Sequence, residues 1–412
     1  MSETAGLPAR RAALKLIDAV LRRGETLEKA EFAAMRGVDA PADKALARAI
    51  AAEALRWMAD IDTLIDSCTS QPLPADAKAR MVLRLMLAQW LRLQTPPHAV
   101  VATGLELLDG GPRRLAHGVF ATLTRRKASL PPLPALPNRA LHRWGPQAAS
   151  IGAGLAEPPP LDLALRDFAA TQDWAQRLGG FSLAPGHVRL PRGSAIESLP
   201  GFADGAWWVQ DLAASLPARL LGRGEGRTAL DLAAAPGGKT LQLAASGWDV
   251  TAVDVSAKRL QLLRANLART KLSAKVITAN ALQWRPAEQF DAILIDAPCT
   301  ATGTCRRHPD VLHRIGPKMI GEMAEIQAAM LERASDWLKP GGQLVYAVCS
   351  LEREEGEDIA ATCSLDPQPI RQDELPPGLE PTAQGWLRTD PSMLADQGGL
   401  DGFFVARWVK PA

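Results

Sequence analysis

Two cysteines in this sequence stand where sulfur chemistry could be done. Cys299 closes Asp296-Ala297-Pro298-Cys299 and Cys349 opens Cys349-Ser350. Each follows a short apolar run, Phe290–Ile295 and Gln343–Val348, of the kind that forms a buried parallel strand. Upstream, Asp231 to Thr240 reads Asp-Leu-Ala-Ala-Ala-Pro-Gly-Gly-Lys-Thr, a small-residue turn between a strand and a helix. A lone cysteine is ordinarily a small buried hydrophobe, and that reading is kept for Cys68, Cys305 and Cys363. It is rejected for Cys299 and Cys349, because strands four and five of an open α/β sheet end side by side at the edge that binds ligands. Two thiols in one pocket, beside a cofactor-type turn, imply thiolate chemistry on something the cofactor also touches.

The turn is not a P-loop. Gly238-Lys239-Thr240 could close one, but the glycine needed five positions earlier is Ala233, and the GxGxxG dinucleotide fingerprint is absent too. What remains is a glycine turn at a helix start, whose amides favour a carboxylate or phosphate. Asp254, at the end of the next strand, stands where a ribose diol is usually held, about 20 residues on. A nucleoside cofactor follows.

The elements that must position these residues alternate from about Trp207 onward. Thr228–Leu232, Val250–Asp254, Lys275–Thr278, Phe290–Asp296, Gln343–Cys349 and a terminal Phe403–Trp408 read as strands. Gly238–Ala245, Ala257–Arg269 and Lys318–Leu338 read as helices between them. Together they predict a doubly wound parallel sheet with helices on both faces. Residues 8–127 are helical by periodicity, with Gly24 as a stop and Met81–Leu93 as the central helix of an all-α bundle. A proline-rich connector covers 129–138, and 139–205 is assigned to a small α+β module. Trp207-Trp208 fits either core packing or stacking on a base, and Tyr346, the only tyrosine, is assigned to the core.

Composition bounds the function. A chain of 412 residues with 22% charged residues and a net charge of +2 can build several domains, and any nucleic-acid surface must be a local basic patch. Arg306-Arg307-His308, just after the Cys299 motif, is one such patch, where arginines could hold backbone phosphates. Five cysteines without a CxxC or a metal-ligand spacing with histidine, and no signal peptide, point to free thiols in a reducing cytoplasm. No apolar run is long enough to cross a bilayer.

The ordered motifs Val209-Gln210-Asp211, Ala-Ala-Pro-Gly-Gly-Lys-Thr, Asp254, Asp296-Ala297-Pro298-Cys299 with Thr302-Gly303, Arg307-His308-Pro309-Asp310, Cys349-Ser350 and Asp401-Gly402-Phe403-Phe404 closely resemble the S-adenosylmethionine (SAM)-dependent RNA cytosine-C5 methyltransferases. The helical half is similar to the NusB-like domain of the branch that modifies small-subunit (16S) ribosomal RNA. The resemblance implies a multidomain protein: a NusB-like all-α RNA-binding bundle at 1–128, a connector with a small RRM-like α+β module at 129–205, and a Rossmann-like catalytic domain at 206–412. It implies Cys349 as the nucleophile on C6 of the base, Cys299 as the residue assisting product release, and Asp296 as a partner for the cytosine edge. It also implies Ala233, Ala234, Ala235, Pro236, Gly237, Gly238, Lys239, Asp254, Asn280 and Asp296 around SAM, and Arg306, Arg307 and His308 on the RNA. Asn280 stands where the family usually has an acid, and Ala233 where it often has cysteine. The partner implied is ribosomal RNA, free or partly assembled, with no obligate protein partner.

Two rivals remain at this stage. DNA cytosine-C5 methyltransferases place the nucleophile in a Pro-Cys motif, which would make Cys299 the attacker. A non-catalytic RNA-binding or ribosome assembly factor would use the helical half alone, and in such a protein the cysteines and glycine turn would be expected to erode. Asp-Ala-Pro-Cys also differs from the Pro-Pro-aromatic segment of amino-group methyltransferases.

Overall fold

A computed structural model describes residues 6–193 and 195–412. The chain divides into two compact units, one of Met1–Ala156 with Arg307–Ile315 and one of Glu157–Arg306 with Gly316–Ala412.

The first unit is helical. Leu7–Arg23 ends where Gly24, at φ 65°, turns its amide back to the Ala19 and Val20 carbonyls. Helices follow at Leu27–Ala34, Pro41–Arg56, Met58–Asp66, Lys78–Leu91, Pro97–Gly104 and Gly110–Arg125. Every residue from Ala79 to Gln89 is buried, so Lys78–Leu91 is the central helix that its all-round apolarity predicts. Burial of Arg80 and Arg84 in that helix is compensated by Asp62, which takes two nitrogens of Arg84 at 2.8 and 2.7 Å, and by Asp66.

The expected boundary at 128 is corrected. Helices Asn138–Trp144 and Ala148–Ala153 belong to this unit, which runs to Ala156. The proline-rich stretch is not a free linker either. Leu136 is buried, and the Ala135 amide donates to Asp60 at 2.9 Å.

The second unit begins with a three-stranded antiparallel sheet of order β2-β1-β3: β1 Leu161–Leu165, β2 His187–Leu190 and β3 Trp207–Val209, with helix Thr171–Leu178 between the first two. This is an α+β module with one strand fewer than the four of a complete RRM. Trp207 and Trp208 are buried, so they are core residues and offer no stacking face.

The large sheet contains β4 Thr228–Leu232, β5 Asp249–Asp254, β6 Lys275–Thr278, β7 Phe290–Asp296, β8 Leu338–Val348, β9 Asp366–Pro367, β10 Leu387–Thr389 and β11 Phe403–Val409. Its order is β10-β11-β8-β7-β4-β5-β6, with β9 on β11. Strands β4 to β8 pair in parallel, and β11 runs antiparallel to β8. The order reverses at β4, which places the ligand crevice at the carboxyl ends of β4, β5 and β7. Helices Gly238–Ala245, Ala257–Thr270 and Pro317–Asp336 connect the strands. Strand β8 starts at Leu338, five residues before the apolar run, because its first residue pairs with Phe290 ahead of a register shift.

Candidate active site

The register of β7 on β8 brings the two cysteines together. Asp296 sits opposite Ala347, and the ladder continues one step as Ala297 N–H donates to the Ala347 carbonyl at 2.9 Å. The chains therefore leave the sheet together, and Cys299 Sγ lies 3.4 Å from Cys349 Sγ. Burial and the adjacent Cys349 sulfur push the Cys299 thiol well above its ordinary range, with Cys349 the larger influence and the charge of Glu355 adding to it.

Thr302-Gly303 and Asp401-Gly402 explain themselves by close approach. Gly303 donates to the Cys349 carbonyl at 3.0 Å, and Gly402 donates to the Gly303 carbonyl at 2.8 Å. A Cβ on Gly303 would lie 2.0 Å from the Gly402 carbonyl oxygen, so any side chain there would push the Cys299 loop off the Gly402 segment.

The glycine turn after β4 has Gly237 at φ 111°, packed so that a Cβ would meet Leu263 at 2.3 Å, a backbone state that glycine alone takes readily. Asp254, at the end of β5, accepts the Ala235 amide at 3.1 Å and the Ser256 amide at 2.8 Å. Two of the carboxylate's roughly four acceptor positions remain. Lys239 Nζ donates to Asp296 Oδ2 at 2.7 Å and lies 5.3 Å from the Phe403 ring centroid. Ala233, Ala234, Ala235 and Pro236 form the rest of the turn. Asn280 follows β6, exposed, with Oδ1 accepting the Leu282 amide at 3.0 Å. Val209-Gln210-Asp211 braces the turn from behind. Gln210 links Trp208 to Gln242 at 2.7 Å on each side, and Asp211 caps helix Leu212–Arg219 through the Ala213 amide.

Two carboxylates that the sequence reading did not single out are central. Asp231 in β4 is fully buried and accepts Thr240 Oγ1 at 2.5 Å, while its Oδ1 has no partner among the described residues. Burial raises it to about 7, and Asp296 and Asp254 push the same way. The threonine of Gly-Lys-Thr is therefore a buried donor to Asp231, not a P-loop hydroxyl. Glu355 is also fully buried, behind both cysteine loops. In sequence it lies in an acidic run, Glu352 to Glu355, that reads as a solvated loop, so only three-dimensional packing reveals it.

The basic run after Cys299 is not one exposed arm. Arg306 is 3% exposed, with its guanidinium on the Gly398 carbonyl and 3.9 Å from Asp401. That corrects the expectation of a free phosphate ligand there. Arg307 and His308 lie in the helical unit, His308 exposed. In the same segment Asp310 is buried against Arg314 at 3.0 Å, and His313 bonds to the Leu55 carbonyl at 2.7 Å. Desolvation pulls His313 down to about 4. Cys305 is buried, and Cys68 and Cys363 are half-buried against apolar clusters. Among the described residues no group of histidine, cysteine and acidic side chains could hold a metal, and no helix is long and apolar enough to cross a membrane.

Comparison with known proteins agrees with this arrangement. Residues 218–409 match the family described as 16S rRNA methyltransferase RsmB/F, and residues 7–111 match the NusB family. A ribosomal RNA small subunit methyltransferase B from Klebsiella pneumoniae subsp. pneumoniae is 32% identical, over 97% of this chain and 98% of its own. One from Xanthomonas campestris pv. campestris is 34% identical, over 89% and 91%. Among solved structures, a methyltransferase homolog from Pyrococcus horikoshii is 28% identical with a TM-score of 0.56, covering 66% of this chain and 93% of its own. NSun6 from the same organism, solved with SFG, shares the fold at 20% identity and a TM-score of 0.57, over 67% and 98%. With near-full-length relatives above 30% identity and a catalytic sheet carrying the family's motifs in order, the chain belongs to the RsmB/F family of 16S rRNA methyltransferases, SAM-dependent enzymes acting on ribosomal RNA.

Proposed function

We propose that the methyl acceptor is C5 of a cytosine in small-subunit ribosomal RNA and that Cys349 is the nucleophile. The observation that carries this reading is the pair of thiols 3.4 Å apart at the ends of adjacent strands. C5 of cytosine is a poor nucleophile, and thiolate addition at C6 makes it electron-rich. Cys349, as thiolate with its proton given to solvent, forms an S–C6 bond. Asp296, held by Lys239, accepts from the exocyclic amine at the cytosine edge and steadies the adduct. C5 then takes the methyl group. In release the C5 proton leaves to water, the S–C6 electrons return to Cys349, and the C5=C6 bond re-forms. The neutral Cys299 thiol donates to the departing sulfur. A thiol kept protonated is a poor attacker, which favours this division over the DNA-type arrangement. The target base must be unpaired or flipped to reach the thiols.

The residues around the glycine turn fit the cofactor. Asp231, Asp254 and Asp296 converge closely enough to raise Asp231, and this negative field suits a sulfonium. Asp254 has acceptor capacity for a ribose diol, and Ala233–Lys239 and Asn280 complete the proposed contacts. When bound, SAM would supply an electrophilic methyl group, the S–CH3 electrons staying on its sulfur, which leaves as a neutral thioether. Arg307 and His308 are the remaining proposed RNA contacts of the basic run. The reading sets the enzyme in the cytoplasm, acting on free or partly assembled rRNA without an obligate protein partner.

The test incubates wild type, Cys349→Ala and Cys299→Ala with small-subunit rRNA and SAM. A denaturation-resistant protein–RNA band from Cys299→Ala alone is expected, with methyl transfer by Cys349→Ala down by at least ~10³-fold. A band from Cys349→Ala alone would reverse the roles. No band and no methyl transfer from wild type would overturn the C5 chemistry on this RNA.

A further inference from the structure

Behind the thiol pair, four donors converge on one side chain. Glu355 Oε1 accepts the Thr300 amide at 2.8 Å and Gln327 Nε2 at 3.1 Å. Its Oε2 accepts the hydroxyls of Thr300 and Ser350. Thr300 directly follows Cys299, and Ser350 directly follows Cys349. Gln327, from helix Pro317–Asp336, also holds the Pro298 carbonyl at 2.9 Å, and Tyr346 in β8 donates to the Glu355 carbonyl at 2.6 Å. Among the described residues no arginine, lysine or histidine pairs with this buried carboxylate.

The Thr300 amide and the Gln327 side-chain amide nitrogen can only donate, so the group that ties the loops must accept there, and the Ser350 hydroxyl can donate to the same group. An ionised carboxylate is the side chain with only acceptors. Burying it among neutral donors costs desolvation, and an apolar core would not carry that cost. What the arrangement fixes is the separation of the two residues preceding Thr300 and Ser350, which are the two cysteines.

We propose that Glu355 is the positioning residue of the active site, clamping the Cys299 loop to the Cys349 loop so that both sulfurs meet one base. It touches neither the base nor the cofactor and acts through Thr300 and Ser350. The consequence for catalysis rests on the cytosine-C5 reading above; the clamp itself does not. A displacement of about 1 Å in a reacting group can cost on the order of 10²-fold in rate.

The test compares Glu355→Ala, Glu355→Gln and Ser350→Ala with wild type, each checked for folding by thermal melting and for SAM affinity by calorimetry. Methyl transfer to small-subunit rRNA gives kcat and KM. Phenylarsine oxide reports the thiol pair directly: arsenic takes both sulfurs, and water leaves with the oxide oxygen and the two thiol protons. Cys299→Ala, which lacks the pair, sets its background.

For Glu355→Ala the expectation is a kcat lower by about 10²-fold, with SAM affinity and RNA KM within about threefold, and arsenical binding weakened toward the Cys299→Ala background. Glu355→Gln should recover most of the loss, because the Thr300 and Ser350 hydroxyls can turn to accept from the new amide. A scaffold role alone would lower SAM affinity and folded fraction together and leave no split between kcat and KM. Wild-type arsenical affinity in Glu355→Ala, or wild-type kcat with a weakened pair, overturns the proposal. If Glu355→Ala does not fold, Ser350→Ala decides: it should lose roughly tenfold in kcat and weaken the arsenical, and wild-type behaviour overturns the clamp. Failure of the C5 reading is seen separately, as no adduct from Cys299→Ala, while the arsenical result still judges the clamp.

Discussion

In the helical unit, buried arginines meet carboxylates. Asp62 takes two nitrogens of Arg84 at 2.8 and 2.7 Å, and Glu53 takes Arg56 and Arg92, each at 3.1 Å. Beside the thiols, Glu355 is surrounded by neutral donors, and Asp231 has one hydroxyl and an oxygen left over. The first pattern neutralises charge and serves only the fold. The second leaves carboxyl groups inside the protein without a cationic partner, and the desolvation cost of charging them falls on stability. Lys239 on Asp296 at 2.7 Å and Arg259 near Asp254 at 3.6 Å are exceptions at the site, and Asp296 is the one carboxylate proposed to meet the base.

The comparison breaks most visibly at Asp62. Asp62→Ala would leave Arg84, 4% exposed, buried without its bidentate partner. Loss of one member of a buried pair costs about 3–5 kcal/mol, and Asp62 is itself a quarter exposed, so the low end applies. That is a fall of roughly 6–12 °C in the transition of a unit this size. SAM affinity of the folded protein should stay unchanged. A loss below about 1 kcal/mol would mean that the ion pairs here are as idle as surface ones.

Asp231 should respond in the opposite sense. Its folded value of about 7 lies above that of an unfolded aspartate, so between about pH 4 and 7 the folded state binds the extra proton. Stability from this group is full below pH 4 and is lost as pH rises through 7. Asp231→Asn cannot titrate and escapes that loss. Relative to wild type, the variant should therefore gain on the order of 2–4 kcal/mol between pH 4 and pH 8, read from denaturant midpoints at each pH. A difference that does not change with pH would show that Asp231 ionises as an exposed aspartate does.

How far the sequence discloses such features depends on whether the physics is local. The catalytic strands are legible because β4, β7 and β8 are short apolar runs ended by glycine, proline or polar residues, and the pairing of Cys299 with Cys349 follows from the neighbouring positions of the strands. Helix Gly238–Ala245 is set by the Pro236-Gly237 turn before it. Glu355 is not legible: its role arises from donors at positions 300, 327 and 350, and alone it looks like any acid in an acidic loop. Residues 129–156 mislead for a related reason. Proline density signals an irregular backbone, but the burial of Leu136 and the Ala135–Asp60 bond that fix it are long-range. The RRM-like expectation meets a sheet one strand short, since too few periodic residues lie between 139 and 205 to count strands.

Arg306 offers the smallest and most discriminating measurement. Two arginines and a histidine in a row look like one phosphate-binding run, yet the first is buried and the last exposed. If Arg306 clamps its loop through the Gly398 carbonyl, Arg306→Ala should cost about 1–3 kcal/mol of stability and leave the salt dependence of RNA binding as it was. A lost phosphate contact would instead lower the slope of log K against log salt by about 0.7 for single-stranded RNA. His308→Ala is the paired control at an exposed position. An unchanged slope for Arg306→Ala with reduced stability fixes it as part of the fold, and a reduced slope with full stability returns it to the RNA surface. The experiment thus asks of a cation what Asp62 and Asp231 ask of carboxylates: whether a buried charge serves the fold or a ligand.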